Sequence, residues 1–208
     1  SALSASLAMS ALVSTVMMAT LVVGPFYLSR ALGLEAAWAG LTMSAGPVVA
    51  AMAGIPSGRA VDRLGSRRVT LAGLIGLAAG AVLLAVLPAT LGIAGYAGPL
   101  VVITGSYALF QTANNTAVMT DVRPAQRGMV SGLLNLSRNL GLITGTSVMG
   151  AVFAFGSATV DVATASPAAV AAGMRLTFAV AAFLIAIALA IAAAMIRFDT
   201  CPAIAPHP

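Results

Sequence analysis

Apolar residues run through this chain in long blocks, rather than in the alternation of a strand or the narrow stripe of a water-facing helix. Six blocks reach the about 20 residues that a helix rising about 1.5 Å per residue needs to cross about 30 Å of hydrocarbon. They lie near 7–28, 36–57, 69–87, 98–119, 129–155 and 170–196, and a tail covers 197–208. The breaks between them carry turn and charge chemistry: Ser29-Arg30, the basic stretch 58–68, and the segments 88–95, 121–127 and 156–167. Connections this short make successive helices antiparallel neighbours, so the pattern predicts one all-α, polytopic transmembrane bundle of six helices over 1–208.

Composition makes lipid the solvent. Hydrophobic residues make up 60% of the 208 and charged residues 7%. A water-soluble domain of this length leaves about a third of its chain surface exposed, more than so few charges can cover. The net charge of +5 comes from ten basic residues, all arginine. They form no basic stripe with an aromatic platform, which argues against nucleic acid as a partner. Counted on alternate sides of the six spans, Arg59, Arg63, Arg67, Arg68, Arg123, Arg127, Arg138 and Arg197 fall on one side and Arg30 and Arg175 on the other. The arginine-rich side is the cytoplasmic one. Both termini are therefore expected in the cytoplasm, in a cell membrane, with a bacterial inner membrane the expected setting.

Cys201 and His207 are the only cysteine and histidine, both in the tail. No internal disulfide, cysteine-based metal site or cofactor motif is available, and an intramembrane serine protease would lack its histidine. No P-loop pattern occurs. An enzyme is thus not expected. The chain starts on Ser1, and its first apolar block is too long and too uncharged for a cleaved signal peptide, so an N-terminally truncated fragment is expected.

The stretch Gly58-Arg59-Ala60-Val61-Asp62-Arg63-Leu64-Gly65-Ser66-Arg67-Arg68 lies between the second and third spans. It resembles the signature loop of the major facilitator superfamily, Gly-x-x-x-Asp-Arg-x-Gly-x-basic-basic, at every fixed position. In a loop, Gly58 and Gly65 would permit tight turns, Asp62 could accept hydrogen bonds from a helix end or an arginine, and Arg63, Arg67 and Arg68 would hold the turn at the cytoplasmic surface. A second passage, 121–150, is similar to the fourth-to-fifth-helix region of the same superfamily. There Arg127-Gly128 opens a helix carrying Gly141, Gly145 and Gly150 as a small-residue strip for helix packing. The fourth-span arginine and fifth-span Gly-Pro pair of the N-terminal half of proton-coupled drug antiporters are missing here. The resemblance is therefore to the C-terminal six helices, and Ser137-Arg138-Asn139-Leu140-Gly141 is most similar to the fourteen-span drug:proton antiporter branch. It implies secondary active transport by alternating access, namely proton-coupled efflux of drugs or other small amphipathic molecules, with an N-terminal six-helix half as partner. Glu35, Asp62, Asp121, Asp161 and Asp199 all sit at span ends, in loops or in the tail. The proton site is accordingly expected in the other half. The rival reading is a non-transporting six-helix membrane sensor or assembly protein.

Polar residues inside the spans are the candidates for touching substrate. Thr104, Tyr107, Gln111, Asn114 and Asn115 recur every three or four residues and share a face of the fourth span. An amide facing hydrocarbon without a partner costs several kcal/mol, so this face must line a cavity or bond a neighbouring helix. Asn135, Arg138 and Asn139 likewise share a face of the fifth span. Arg138 lies ten residues past Gly128, about 15 Å along the helix, deep enough to be either functional or a structural arginine reaching for the surface. Thr20 and Tyr27 on the first span are further cavity candidates, and Trp38 and Tyr96 are placed at the outer interface. The ten methionines could supply an adaptable substrate surface or ordinary packing.

Overall fold

The computed structural model describes residues 2–120, 122–158 and 165–199. Its elements are α1 (Ala2–Phe26) with a one-turn π-helix (Tyr27–Ala31), α2 (Ala36–Leu64), α3 (Ser66–Val86), α4 (Gly92–Thr120), α5 (Arg127–Ser157) and α6 (Pro167–Asp199). Short 3₁₀ turns, Ala89–Leu91 and Pro124–Gln126, precede α4 and α5. Among the described residues six helices are long and apolar enough to cross a membrane, and no strand interrupts them.

The helices outrun the apolar blocks. α2 continues to Leu64 instead of stopping near Ser57, and α4 begins at Gly92 instead of near Gly98. Hydropathy marks where hydrocarbon ends, whereas the backbone keeps its helical bonds into the headgroup layer. A helix of 29 residues measures about 43 Å, well beyond the about 30 Å core. The arginine-rich stretch is therefore mostly helix rather than loop. Gly58 lies inside α2 and makes no turn. The reversal into α3 falls on Gly65 alone, at φ 81° and ψ 147°, a backbone region essentially confined to glycine. Its N–H still bonds the Val61 carbonyl at 2.9 Å.

Packing follows a two-fold scheme. α1 rests on α5 and α6, α4 rests on α2 and α3, and α3 and α6 pack on each other. Exchanging each helix n for n+3 maps this set of pairs onto itself, the pattern of two inverted three-helix repeats. With lipid as apolar as the core, close van der Waals fit rather than water exclusion holds such pairs. Glycines set the fit at the α1–α5 and α3–α4 seams. On α5, a Cβ at Gly145 would lie 2.6 Å from the Thr15 carbonyl oxygen, and one at Gly141 would strike the Ala11 carbonyl. On α3, Gly73, Gly76 and Gly80 leave room for Phe110, Ser106 and Ile103 of α4. Gly150 belongs to neither seam, since its Cβ position is 4.0 Å from Val22, and the small-residue strip on α5 ends at Gly145.

Two polar bonds lock the α1–α5 seam: the Thr15 hydroxyl donates to the Gly141 carbonyl at 3.0 Å, and the Ser137 hydroxyl to the Leu7 carbonyl at 2.6 Å. The common core gathers Leu74, Leu77 and Leu84 of α3 with Ile103 and Phe110 of α4 and Phe178 and Ile185 of α6. α2 touches the bundle mainly through α4 and leaves Leu41, Met52 and Ile55 exposed.

Tyr96 departs from its expected interfacial place: it is fully buried. Its hydroxyl donates to the Thr20 carbonyl at 3.1 Å, reaching over Gly24, where any Cβ would collide with it. The ring sits 5.8 Å from that of Tyr27. A phenol can be buried when its O–H finds an acceptor, and the space above Gly24 provides one. Trp38 is exposed, as a ring at the edge of the lipid would be.

Candidate substrate-facing surface

The polar positions of α4 do not share one environment. Thr104 and Asn114 are buried, while Tyr107, Gln111 and Asn115 are half-buried. The Asn114 amide donates to the Ser6 carbonyl of α1 at 3.4 Å, so this residue ties α4 to α1 from within the bundle. Asn115, a turn of about 100° further round the helix, instead borders a shallow hollow with Met119, Thr120 and Arg127.

On α5 the arrangement is sharper. Asn135 and Asn139 are exposed and Arg138 is half-buried. The Arg138 guanidinium donates to Asn135 Oδ1 at 3.2 Å, and the Asn139 amide approaches the same oxygen at 3.5 Å. The three side chains form one hydrogen-bonded patch on the outside of this six-helix bundle. Leu136, Leu140 and Ile143, also exposed, make the adjoining stripe wholly apolar. Gly141, next to Leu140, turns the opposite way, against α1.

Thr20 and Tyr27 stand apart from this surface. Both are buried; Thr20 donates its hydroxyl to the Met17 carbonyl at 2.7 Å within its own helix, and Tyr27 packs in the core. Their helical spacing puts them on one face, but that face is turned toward α4 rather than outward. They are corrected from cavity candidates to core residues.

At the α2–α3 reversal, Asp62, Arg63, Arg67 and Arg68 are exposed. Asp62 has no hydrogen-bond or ionic partner among the described residues, because the helix that carries it continues and turns Val61, not Asp62, inward. Arg67 reaches across to donate to the Met195 carbonyl near the end of α6 at 3.4 Å, where a cation meets the negative end of a helix. Of the other carboxylates, Glu35 is exposed at the start of α2; Asp121, Asp161 and the side chain of Asp199 lie outside the described residues.

A cavity of about 360 Å³ opens among the ends of α1, α3, α4 and α6. Sequence reading did not anticipate it. Asn114 and Arg67 are the only residues singled out beforehand that line it; Ser6, Thr70, Met9 and Met195 join them. The available signal was the Ser6, Ser10, Ser14 repeat on α1, whose four-residue spacing gives a helix one polar edge.

Six lipid-length helices with buried seams and an apolar exterior define a multi-pass α-helical membrane protein. The family model of the Major Facilitator Superfamily matches residues 2–146, and the chain belongs to that superfamily. It is similar to the multidrug efflux pump LfrA of Mycolicibacterium smegmatis, with 29% identity over 137 residues, covering 65% of this chain and 27% of that protein. It is also similar to the uncharacterized transporter YebQ of Escherichia coli strain K12, with 28% identity over 125 residues, covering 60% of this chain and 27% of that protein. The matched stretch thus spans about a quarter of the length of these relatives.

Proposed function

We propose that this chain is the C-terminal six-helix half of a secondary transporter, which with an N-terminal half exports drugs or other small amphipathic molecules by alternating access. The observation that carries the reading is the Asn135, Arg138 and Asn139 patch. A guanidinium and two amides on the outer face of a membrane helix are too polar for hydrocarbon. A partner bundle enclosing a wet pathway gives them water, substrate or protein to bond. Gln111 and Tyr107, half-buried on α4, and Asn115 beside them are the next residues placed on that pathway. The likeness to a multidrug efflux pump supports export of amphipathic compounds. No carboxylate falls inside the apolar blocks of this chain, Asp62 lying on the end of α2 beyond the second block, which supports a proton site in the other half. The arginine asymmetry supports cytoplasmic ends for α2, α4 and α6 in the cell membrane.

The test is efflux from cells producing the full transporter, loaded in turn with chemically varied dyes and drugs. Arg138→Lys keeps the charge but loses the planar fork that meets Asn135. It is expected to lower efflux roughly tenfold, about the weight of one hydrogen bond to a charged group, at unchanged abundance in the membrane. Unchanged efflux would remove Arg138 from the pathway.

A further inference from the structure

The cavity among α1, α3, α4 and α6 is separate from the outward patch on α5 and is built differently. Its polar wall holds five side chains: those of Ser6, Ser66, Thr70, Asn114 and Arg67. Ser6 and Thr70 are only 4% and 8% exposed, yet neither hydroxyl has a hydrogen-bond partner among the described residues. A helical threonine ordinarily satisfies itself on the carbonyl four residues back, as Thr42, Thr116 and Thr177 do here. Thr70 does not. Buried hydroxyls left open toward a cavity are positioned to bond something inside it.

The same wall carries positive potential from two sources. Ser66 and Arg67 begin α3, a helix of 21 residues whose N-terminus has no side-chain cap, so its first N–H groups and its dipole favour an anion. Arg67 adds a full charge. Among the described residues no acidic side chain lines the cavity. The rest of the wall is apolar, with Met9, Ala117, Val118 and Met195 among its residues. Its volume falls within the roughly 300–1,000 Å³ typical of small-ligand sites, and methionine gives the apolar end room to adapt.

We propose that this cavity is a second ligand site, taking an amphiphile with an anionic head. The phosphate or carboxylate sits between Arg67, the start of α3 and the Thr70 and Ser6 hydroxyls, and the hydrocarbon tail runs between Met9, Ala117 and Met195. Such a molecule can come from the membrane, as a phospholipid or fatty acid, or from the aqueous phase as an anionic solute. The site does not depend on the transport reading, since occupancy can be read in protein that transports nothing.

The experiment uses the full protein purified in an uncharged maltoside detergent, with binding followed by native mass spectrometry and by the shift in melting temperature. The probes are a lysophosphatidic acid with a twelve-carbon chain, dodecanol and inorganic phosphate. The phosphate amphiphile is expected to bind one to one and raise the melting temperature, with dodecanol and phosphate each at least about tenfold weaker. Thr70→Val, which keeps the shape and removes the hydroxyl, should weaken the amphiphile about tenfold, the effect of one hydrogen bond to a charged group. Ala117→Leu should crowd out the tail, and retention of folding is read from the melting curve itself. Anionic lipid carried through purification and lost from Thr70→Val identifies the membrane as the source; protein that emerges empty and takes up added amphiphile identifies the aqueous phase. Equal binding of dodecanol, tight binding of phosphate alone, or affinity for the amphiphile unchanged in both variants overturns the proposal.

Discussion

At the scale of single residues, position in a seam decides what a side chain may become. Gly141 and Gly145 look equivalent to Gly150 by sequence, but only the first two face the α1 backbone. Gly145→Val is expected to destabilise by about 1–3 kcal/mol, the usual range for overpacking, and to lower the melting temperature of the detergent-solubilised protein. Gly150→Ala, with 4.0 Å of clearance, should leave it unchanged. Tyr96→Phe removes the bond to the Thr20 carbonyl and should lower stability by about 1 kcal/mol, while a true interfacial tyrosine would tolerate the change. Tyr96 also shows where sequence reading stops. An amphipathic ring near a span end is equally at home in the headgroup layer or on a buried acceptor, and what decides is Gly24, 72 positions away on another helix.

Elements were more legible than residues, and for a physical reason. Crossing hydrocarbon demands a run of apolar side chains with every backbone group bonded internally, so the six helices follow from the block pattern almost directly. Their ends do not, because nothing in hydropathy distinguishes a helix leaving the lipid from a loop. That is why the α2–α3 connection reads as eleven residues of loop and folds as a single glycine. Gly65 therefore carries the whole reversal. Gly65→Ala places a side chain at φ 81° and should cost about 1–3 kcal/mol, read as lower yield of folded protein, whereas Gly58→Ala inside α2 should be neutral. The partition of the α4 polar face was also beyond the sequence. Helical spacing groups Asn114 with Asn115, but one bonds α1 and the other faces outward, since neighbours differ by about 100°.

For the whole molecule, the proposed pairing with a second six-helix bundle rests on the two-fold arrangement of helix pairs and the outward polar patch on α5. Orientation can be tested directly in the full transporter once Cys201, the one cysteine of these 208 residues, and any cysteines of the other half are replaced by serine to give a blank background. In that background Arg68→Cys should react with a membrane-impermeant maleimide only from the cytoplasmic side, and Ser29→Cys, exposed near the end of α1, only from outside. The reverse pattern would invert the proposed topology without altering the bundle.

The same background gives the most direct measurement of what surrounds α5. Single cysteines at Asn135 and Asn139 are compared with cysteines at Leu136 and Ile143, exposed on the adjoining apolar stripe, for reaction with a charged, membrane-impermeant thiol reagent in the full transporter. Fast labelling at 135 and 139, slowed by a transported drug, with 136 and 143 inert, is the outcome expected of a wet pathway between two bundles. Labelling that is equally absent at all four, or faster at 136 and 143, would mean that hydrocarbon or tight packing covers the polar patch, and the transport reading would lose its main support.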